Sequence, residues 1–337
     1  MKMDKIFISK QAGIGDVMVL TPILAELKKL YPHSKITLMI FPNAVDVVAG
    51  LPFVDEVFSY DKKKDSIWKV IKKMWGHDVA LLFDLQYRPA LLAFLARIPI
   101  RLGIAHKRKL WLTHSLPWQV HMDHIYEPYV FAEILQCTLG ISIETNKLDK
   151  LYFPPILASD EQAVANLLKE YGLSPNEPYI ACSPMTALYL KNWPTEKWKE
   201  LFERLYERYK VPVIIFGNYG TENALWNIYG AINLTGKTSL RQAAYIIKNA
   251  RLLVNSCSLP IHIATAYETP SVVLYGYGDP NRWAPRKKCT IVSANLSCSP
   301  CDGYIGTQCE NPKCMQAITV DEVFLACCDT LNGKGII

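Results

Sequence analysis

Short β-branched runs alternate along the chain with stretches whose apolar residues recur every three or four positions. That alternation is the mark of parallel sheets wrapped by helices, and it predicts an α/β fold. Lys5–Ser9 reads as a strand, and Val17, Leu20, Ile23, Leu24, Leu27 and Leu30 follow at helical spacing as one helix stopped by Pro32. Ile36–Phe41, Val54–Ser59 and Val79–Leu85 read as strands, with helices at Ser66–Trp75 and Pro89–Ala96. The Pro154-Pro155 pair opens a second unit. There the pattern predicts a helix over Asp160–Tyr171 with Gly172 after it, a strand over Tyr179–Ser183, and an amphipathic helix over Thr195–Arg208 with Thr195 as N-cap. Strands at Val211–Phe216, Ile232–Leu234, Leu252–Asn255 and Ser271–Tyr275 follow, with helices near Glu222–Tyr229, Leu240–Lys248, Pro260–Ala266 and Thr319–Leu331. Two Rossmann-like domains are therefore expected, over 1–155 and 156–337, facing across a cleft. The C-terminal helix is a candidate to pack back on the first of them.

Composition adds three points. Half of the 337 residues are hydrophobic and a fifth are charged, enough for two cores. No apolar run reaches the roughly 18 residues that span a bilayer, and Met1–Lys10 is too short and too charged for a signal peptide. A cytoplasmic location is expected. The net charge is +6, and residues 1–155 carry 20 Lys/Arg against 15 Asp/Glu. The excess lies in Lys62–Lys64 with Lys69, Lys72 and Lys73, and in Lys107-Arg108-Lys109. Such runs are either a solvated face or a patch for an anionic partner such as a phosphorylated glycolipid at the inner membrane. No nucleic-acid-binding motif is present.

In open parallel sheets, ligands bind beyond the carboxyl ends of the strands. Chemistry is therefore sought in the loops there. The first loop, Gln11-Ala12-Gly13-Ile14-Gly15-Asp16, lacks the third glycine of a dinucleotide fingerprint and the Lys-Ser/Thr of a Walker loop. It offers the carboxylate of Asp16 at a helix start, either as an N-cap or as a base for an attacking hydroxyl. Lys191, in the loop after the Tyr179–Ser183 strand, is a surface lysine or a counter-charge for a diphosphate leaving group. The loop Asn255–His262 presents a helix N-terminus suited to an anion, with His262 one turn in, as a phosphate ligand or as a structural histidine. Ten cysteines are present, six of them scattered. Cys298, Cys301, Cys309 and Cys314 cluster with a spacing open to a structural Zn or Fe site, or to an unmetallated flap.

Taken in order, these segments resemble glycosyltransferase family 9, the lipopolysaccharide heptosyltransferases. The resemblance rests on Gly13-Ile14-Gly15-Asp16 with Thr21-Pro22, on Lys191-Asn192-Trp193-Pro194, and on Leu234–Leu240. It rests also on Ser258, Pro260 and His262, and on the cysteine cluster. It implies a glycosyltransferase-B fold with an acceptor-binding first domain and a nucleotide-sugar-binding second one. It implies inverting transfer, with ADP-heptose as donor, to a lipopolysaccharide core or related glycolipid, with no cofactor required for the chemistry. By the same resemblance Asp16 is the general base and Lys191 contacts the leaving ADP. Gly13, Gly15, Ser258, Leu259 and His262 bind the donor, Thr186 and Thr238 line its nucleotide pocket, and Glu222 holds the ribose. Cys257 stands where the family has Asp, and Leu259 where it has Gly. These departures keep two alternatives open: a catalytically silent sugar-nucleotide or glycan binder, and a transferase with a different donor.

Overall fold

A computed structural model describes residues 3–174, 176–218, 227–294, 296–301 and 309–333. The chain divides into two compact units, Met1–Pro155 and Ile156–Ile337. The first runs β1 (Lys5–Ser9), α1 (Ile14–Met18), α2 (Thr21–Leu30), β2 (Lys35–Ile40), β3 (Glu56–Ser59), α3 (Ile67–Met74), β4 (Val79–Leu82), α4 (Tyr87–Leu95), β5 (Ile100–Ile104), β6 (His114–Leu116) and α5 (Glu127–Leu139). The second runs α6 (Ala158–Glu170), β7 (Ile180–Ser183), α7 (Thr195–Tyr209), β8 (Val213–Ile215), β9 (Ala231–Asn233), α8 (Leu240–Asn249) and β10 (Leu252–Ser256). It continues with α9 (Leu259–Tyr267), β11 (Ser271–Tyr275), α10 (Pro280–Trp283), β12 (Cys289–Ser293), α11 (Lys313–Ala317) and α12 (Val320–Leu331).

Each unit holds a six-stranded, all-parallel sheet. The orders are β3-β2-β1-β4-β5-β6 and β12-β11-β10-β7-β8-β9. Counted within its own unit, each is the doubly wound order 3-2-1-4-5-6. The fold class is therefore α/β with two Rossmann-like units, as the pattern predicts. Strand order reverses between β1 and β4 in the first unit and between β7 and β10 in the second. Those two switch points mark where a ligand is expected.

The single helix expected over Val17–Leu30 is broken at Val19-Leu20 into α1 and α2. Pro22 is the cause. It has no N–H for the Met18 carbonyl, and its ring crowds the same oxygen. The Thr21 hydroxyl takes over that carbonyl at 2.7 Å and accepts the Tyr152 N–H at 3.0 Å. Thr195 is the first residue of α7 and not its N-cap, since Pro194 holds the cap position with extended backbone. A proline before the helix pre-sets that entry and forgoes a side-chain cap. Between 97 and 139, where the pattern predicts no element, the chain forms β5, β6 and α5. The expected helix near Glu222 falls largely on residues outside the described set.

In the first unit, α3 and α4 cover one face of the sheet through Val70, Ile71, Met74, Ala90, Leu92 and Ala93. In the second, Trp198, Leu201, Phe202 and Leu205 of α7 join Val320, Val323 and Cys327 of α12 over the sheet. No helix among the described residues is long and apolar enough to cross a membrane.

Candidate functional site

In the first unit the switch point is built on buried charge. Asp84, just past β4, accepts hydrogen bonds from the Ser9 hydroxyl and from Arg108 Nη1 at 3.1 Å. Both members of the Asp84–Arg108 pair are sealed from solvent. Burial pushes the Asp84 carboxyl up, and the Arg108 guanidinium and the Ser9 hydroxyl pull it back. Arg108 also donates to the carbonyls of Ile104 at 2.7 Å, Gln86 at 3.1 Å and Leu82 at 3.1 Å. Room for it comes from Gly103, where a Cβ would lie 2.9 Å from Nη2 and 2.7 Å from the Leu82 carbonyl oxygen. A second buried pair lies alongside: Lys10 Nζ reaches Glu127 Oε1 at 3.2 Å and the Phe83 carbonyl at 3.3 Å. Gln11 donates to the Tyr60 carbonyl at 3.3 Å, and Gln86 donates to the Gln11 carbonyl at 3.1 Å. These contacts fix the chain direction out of β1 into the Gly13–Asp16 loop.

Asp16 sits in the first turn of α1, at its third position, half-buried. The cap position belongs to Gly13, so the reading of Asp16 as an N-cap is corrected. The carboxylate folds back over Gly13, with Oδ2 2.7 Å from where a Cβ on that residue would stand. Glycine is thus the residue that leaves space for this carboxylate at the strand end. Gly15 lies in the same first turn.

The second unit's switch point gathers the other loops. Trp193 is buried in the core, donates Nε1–H to the Ile318 carbonyl at 3.0 Å, and meets Trp198 edge-on at 4.9 Å. This anchor fixes Lys191 two residues earlier, at the end of a 3₁₀ turn over Tyr189–Lys191. Lys191 Nζ lies 5.6 Å from the centre of the Tyr277 ring. Thr186 closes the same loop, its hydroxyl donating to the Leu188 carbonyl and its N–H to Asn192 Oδ1, both at 2.8 Å.

Asn255, at zero exposure in β10, joins this loop to the next. It accepts the Ser183 N–H at 2.8 Å and donates to the Ser258 hydroxyl at 2.9 Å and the Ser256 carbonyl at 2.8 Å. Ser258 holds the N-cap position of α9 without capping it through its side chain. Leu259 is the first residue of that helix and keeps an ordinary negative φ. The absent glycine therefore costs no backbone strain, and the substitution instead adds a partly exposed side chain at the helix start. Cys257 is buried. His262 is 4% exposed and its Nδ1 has no hydrogen-bond partner among the described residues. Burial, aided by the Lys191 charge, lowers the imidazole to about 3, so it is neutral at ordinary pH. Thr238 is half-buried in the loop between β9 and α8, and Glu222 lies outside the described residues.

The structure thus brings Lys191, Thr186, Ser258, Leu259 and His262 to the second switch point, and Gly13, Gly15 and Asp16 to the first. Sequence reasoning missed the roles of Asn255, Lys10, Asp84 and Glu127, and it placed Arg108 in a surface basic run, whereas Arg108 is buried against Asp84. Among the described residues, those of the cysteine cluster included, no three His, Cys, Asp or Glu side chains are placed to hold an ion together. Cys301 Sγ turns to the Cys298 carbonyl at 3.3 Å and Cys309 Sγ to the Asn311 carbonyl at 3.2 Å. Cys314 is buried, which raises its thiol.

Residues 67–312 match the profile of glycosyltransferase family 9 (heptosyltransferase). The chain belongs to glycosyltransferase family 9. As a family 9 glycosyltransferase it is 24% identical over 295 residues to lipopolysaccharide heptosyltransferase 3 of Escherichia coli K12, covering 80% of this chain and 82% of that one. Its fold superposes on a family 9 glycosyl transferase from Veillonella parvula with a TM-score of 0.83 at 21% identity, over 99% of both chains. It also superposes on the Escherichia coli ADP-heptose lipopolysaccharide heptosyltransferase II, with a TM-score of 0.74 at 20% identity, over 98% and 99% of the two chains. The family 9 motifs are now physical objects. Thr21-Pro22 breaks the first helix, and Trp193 anchors the loop that carries Lys191.

Proposed function

We propose that this glycosyltransferase moves heptose from ADP-heptose, with inversion, to a hydroxyl of a lipopolysaccharide core or related anionic glycolipid. The observation that carries the donor half is the meeting, at the β7/β10 switch point, of a cation, an uncapped helix start and a buried imidazole with an unpartnered nitrogen. A diphosphate needs positive charge and amide donors, which Lys191 and the start of α9 supply. Ser258, Leu259 and His262 flank it, Thr186 and Thr238 line the nucleotide side, and Glu222 takes the ribose. The relatives named as lipopolysaccharide heptosyltransferases support the acceptor class, and the structural neighbour named for ADP-heptose supports the donor.

In this reading Asp16 accepts the acceptor hydroxyl's proton while the oxygen attacks C1 from the face opposite the departing ADP. A carboxylate is a weak base toward an alcohol, so proton transfer accompanies attack. Gly13 and Gly15 let the donor approach the backbone at the start of α1. Asp16→Asn is the test: transfer falls by roughly 10²–10⁴-fold, and calorimetric donor binding stays unchanged. Undiminished turnover would remove Asp16 from the role of base.

A second reading keeps nucleotide-sugar binding and drops transfer. Cys257 and Leu259, at family Asp and Gly positions, favour it. Any transfer or donor hydrolysis among a panel of nucleotide sugars rejects it. Titration with ADP, UDP and GDP identifies the nucleotide, and a preference for UDP rejects ADP-heptose.

A further inference from the structure

One face of the first unit concentrates charge and exposed aromatic surface. Residues 61–111 carry twelve Lys/Arg against four Asp/Glu, a balance of +8, while the whole chain is +6. The buried Asp84–Arg108 pair cancels within this count, so the excess is on the surface. This segment contains α3, α4 and the 3₁₀ turn Lys109–Trp111. The three lie side by side: α3 packs on α4, α4 packs on the turn, and Phe94 meets Trp111 at 5.2 Å. All cover the same apolar cluster on the sheet.

Their outer side is not the polar surface an amphipathic helix normally shows to water. Trp68 is 77% exposed, Trp75 59% and Leu110 81%, and Phe94 and Leu95 are exposed as well. Of sixteen large hydrophobic residues exposed among the described ones, seven lie on these elements or within one residue of them. Exposed lysines surround them: Lys62–Lys64, Lys69, Lys72, Lys107 and Lys109.

We propose that this face seats the protein on an anionic phospholipid bilayer. Tryptophan rings settle at the headgroup level. Lysine stems lie along the apolar surface while their ammonium groups reach lipid phosphates. Charge decides against the other apolar occupant, a second copy of the chain. A two-fold dimer through this face would set +8 against +8, with few carboxylates to offset it. The inference stands apart from the donor and the acceptor, because bilayer binding needs neither.

The test is co-sedimentation of the full chain with large vesicles. One set is of phosphatidylglycerol and phosphatidylethanolamine, the other of phosphatidylcholine alone. The chain sediments with the anionic vesicles, and raising the salt releases most of it. Lys62→Ser/Lys63→Ser/Lys64→Ser weakens binding by roughly 100-fold, at about five-fold per lysine. Trp68→Ser/Leu110→Ser weakens it while leaving the salt dependence. All these side chains are exposed, so circular dichroism of the variants matches the parent. Transfer to a vesicle-free acceptor fragment is unchanged in them, which separates loss of docking from failure of the enzymatic reading. Equal sedimentation with both lipids, no sedimentation at all, or variants that bind like the parent would each overturn the proposal. So would a concentration-dependent dimer, in the absence of lipid, that Trp68→Ser/Leu110→Ser dissolves.

Discussion

Replacing Arg108 with Met removes a charge and four hydrogen bonds from the floor of the first switch point while keeping most of the volume. The pair it breaks is fully buried. Removing one member of such a pair costs about 3–5 kcal/mol, because the remaining charge is left in a poorly polarisable interior. Asp84 keeps the Ser9 hydroxyl, which softens the loss without cancelling it. For a unit of this size that cost lowers the melting temperature by roughly 6–20 °C. Calorimetry of the full chain measures the shift. Hydrogen exchange then locates it, with protection lost in β1, β4 and β5 and retained in β7 and β10. Asp84→Asn in the Arg108→Met background removes the stranded charge, so the double variant is more stable than Arg108→Met alone by about 1–3 kcal/mol. Melting of Arg108→Met within 2 °C of the parent, or a double variant no better than the single, refutes the argument that the pair is held by mutual compensation.

Two further predictions concern the second unit. His262 titrates near 6.5 when unfolded and at about 3 in the fold. The unfolded chain therefore binds the extra proton between those values. The contribution is intact above pH 6.5 and falls as pH drops, by about 1.4 kcal/mol per unit. Urea midpoints followed from pH 6.5 to 4.5 show this as about 2 kcal/mol that His262→Gln does not lose, and parallel slopes in the two proteins disprove it. Lys191→Ala lowers kcat by about 10²–10³-fold through lost leaving-group stabilisation, seen in steady-state assays with saturating donor. An unchanged kcat removes Lys191 from the chemistry.

Local pattern made the architecture legible because each buried parallel strand is a short apolar run and each wrapping helix has one apolar stripe. β5 escaped because Arg101 and Gly103 interrupt its run, and Gly103 is there for the guanidinium of Arg108. β6, at three residues, is too short for any periodicity to register. The loops carrying Asp16, Lys191 and His262 were visible from their place after strands. What gives them shape was not. Arg108 meets Asp84 from 24 positions away and Lys10 meets Glu127 from 117, separations at which the chain carries no local signal. Asn255 looked like the last residue of a strand, and only the parallel pairing of β7 with β10 brings it against Ser183.

That asparagine has an engineering consequence. With one side chain bonded to the ends of both β7 and β10, the segments 184–192 and 257–262 behave as a single cassette. Grafting one of them from a relative with another donor preference would leave it mismatched to its partner. Swaps that carry both, together with residue 255, are the ones with a route to altered donor choice.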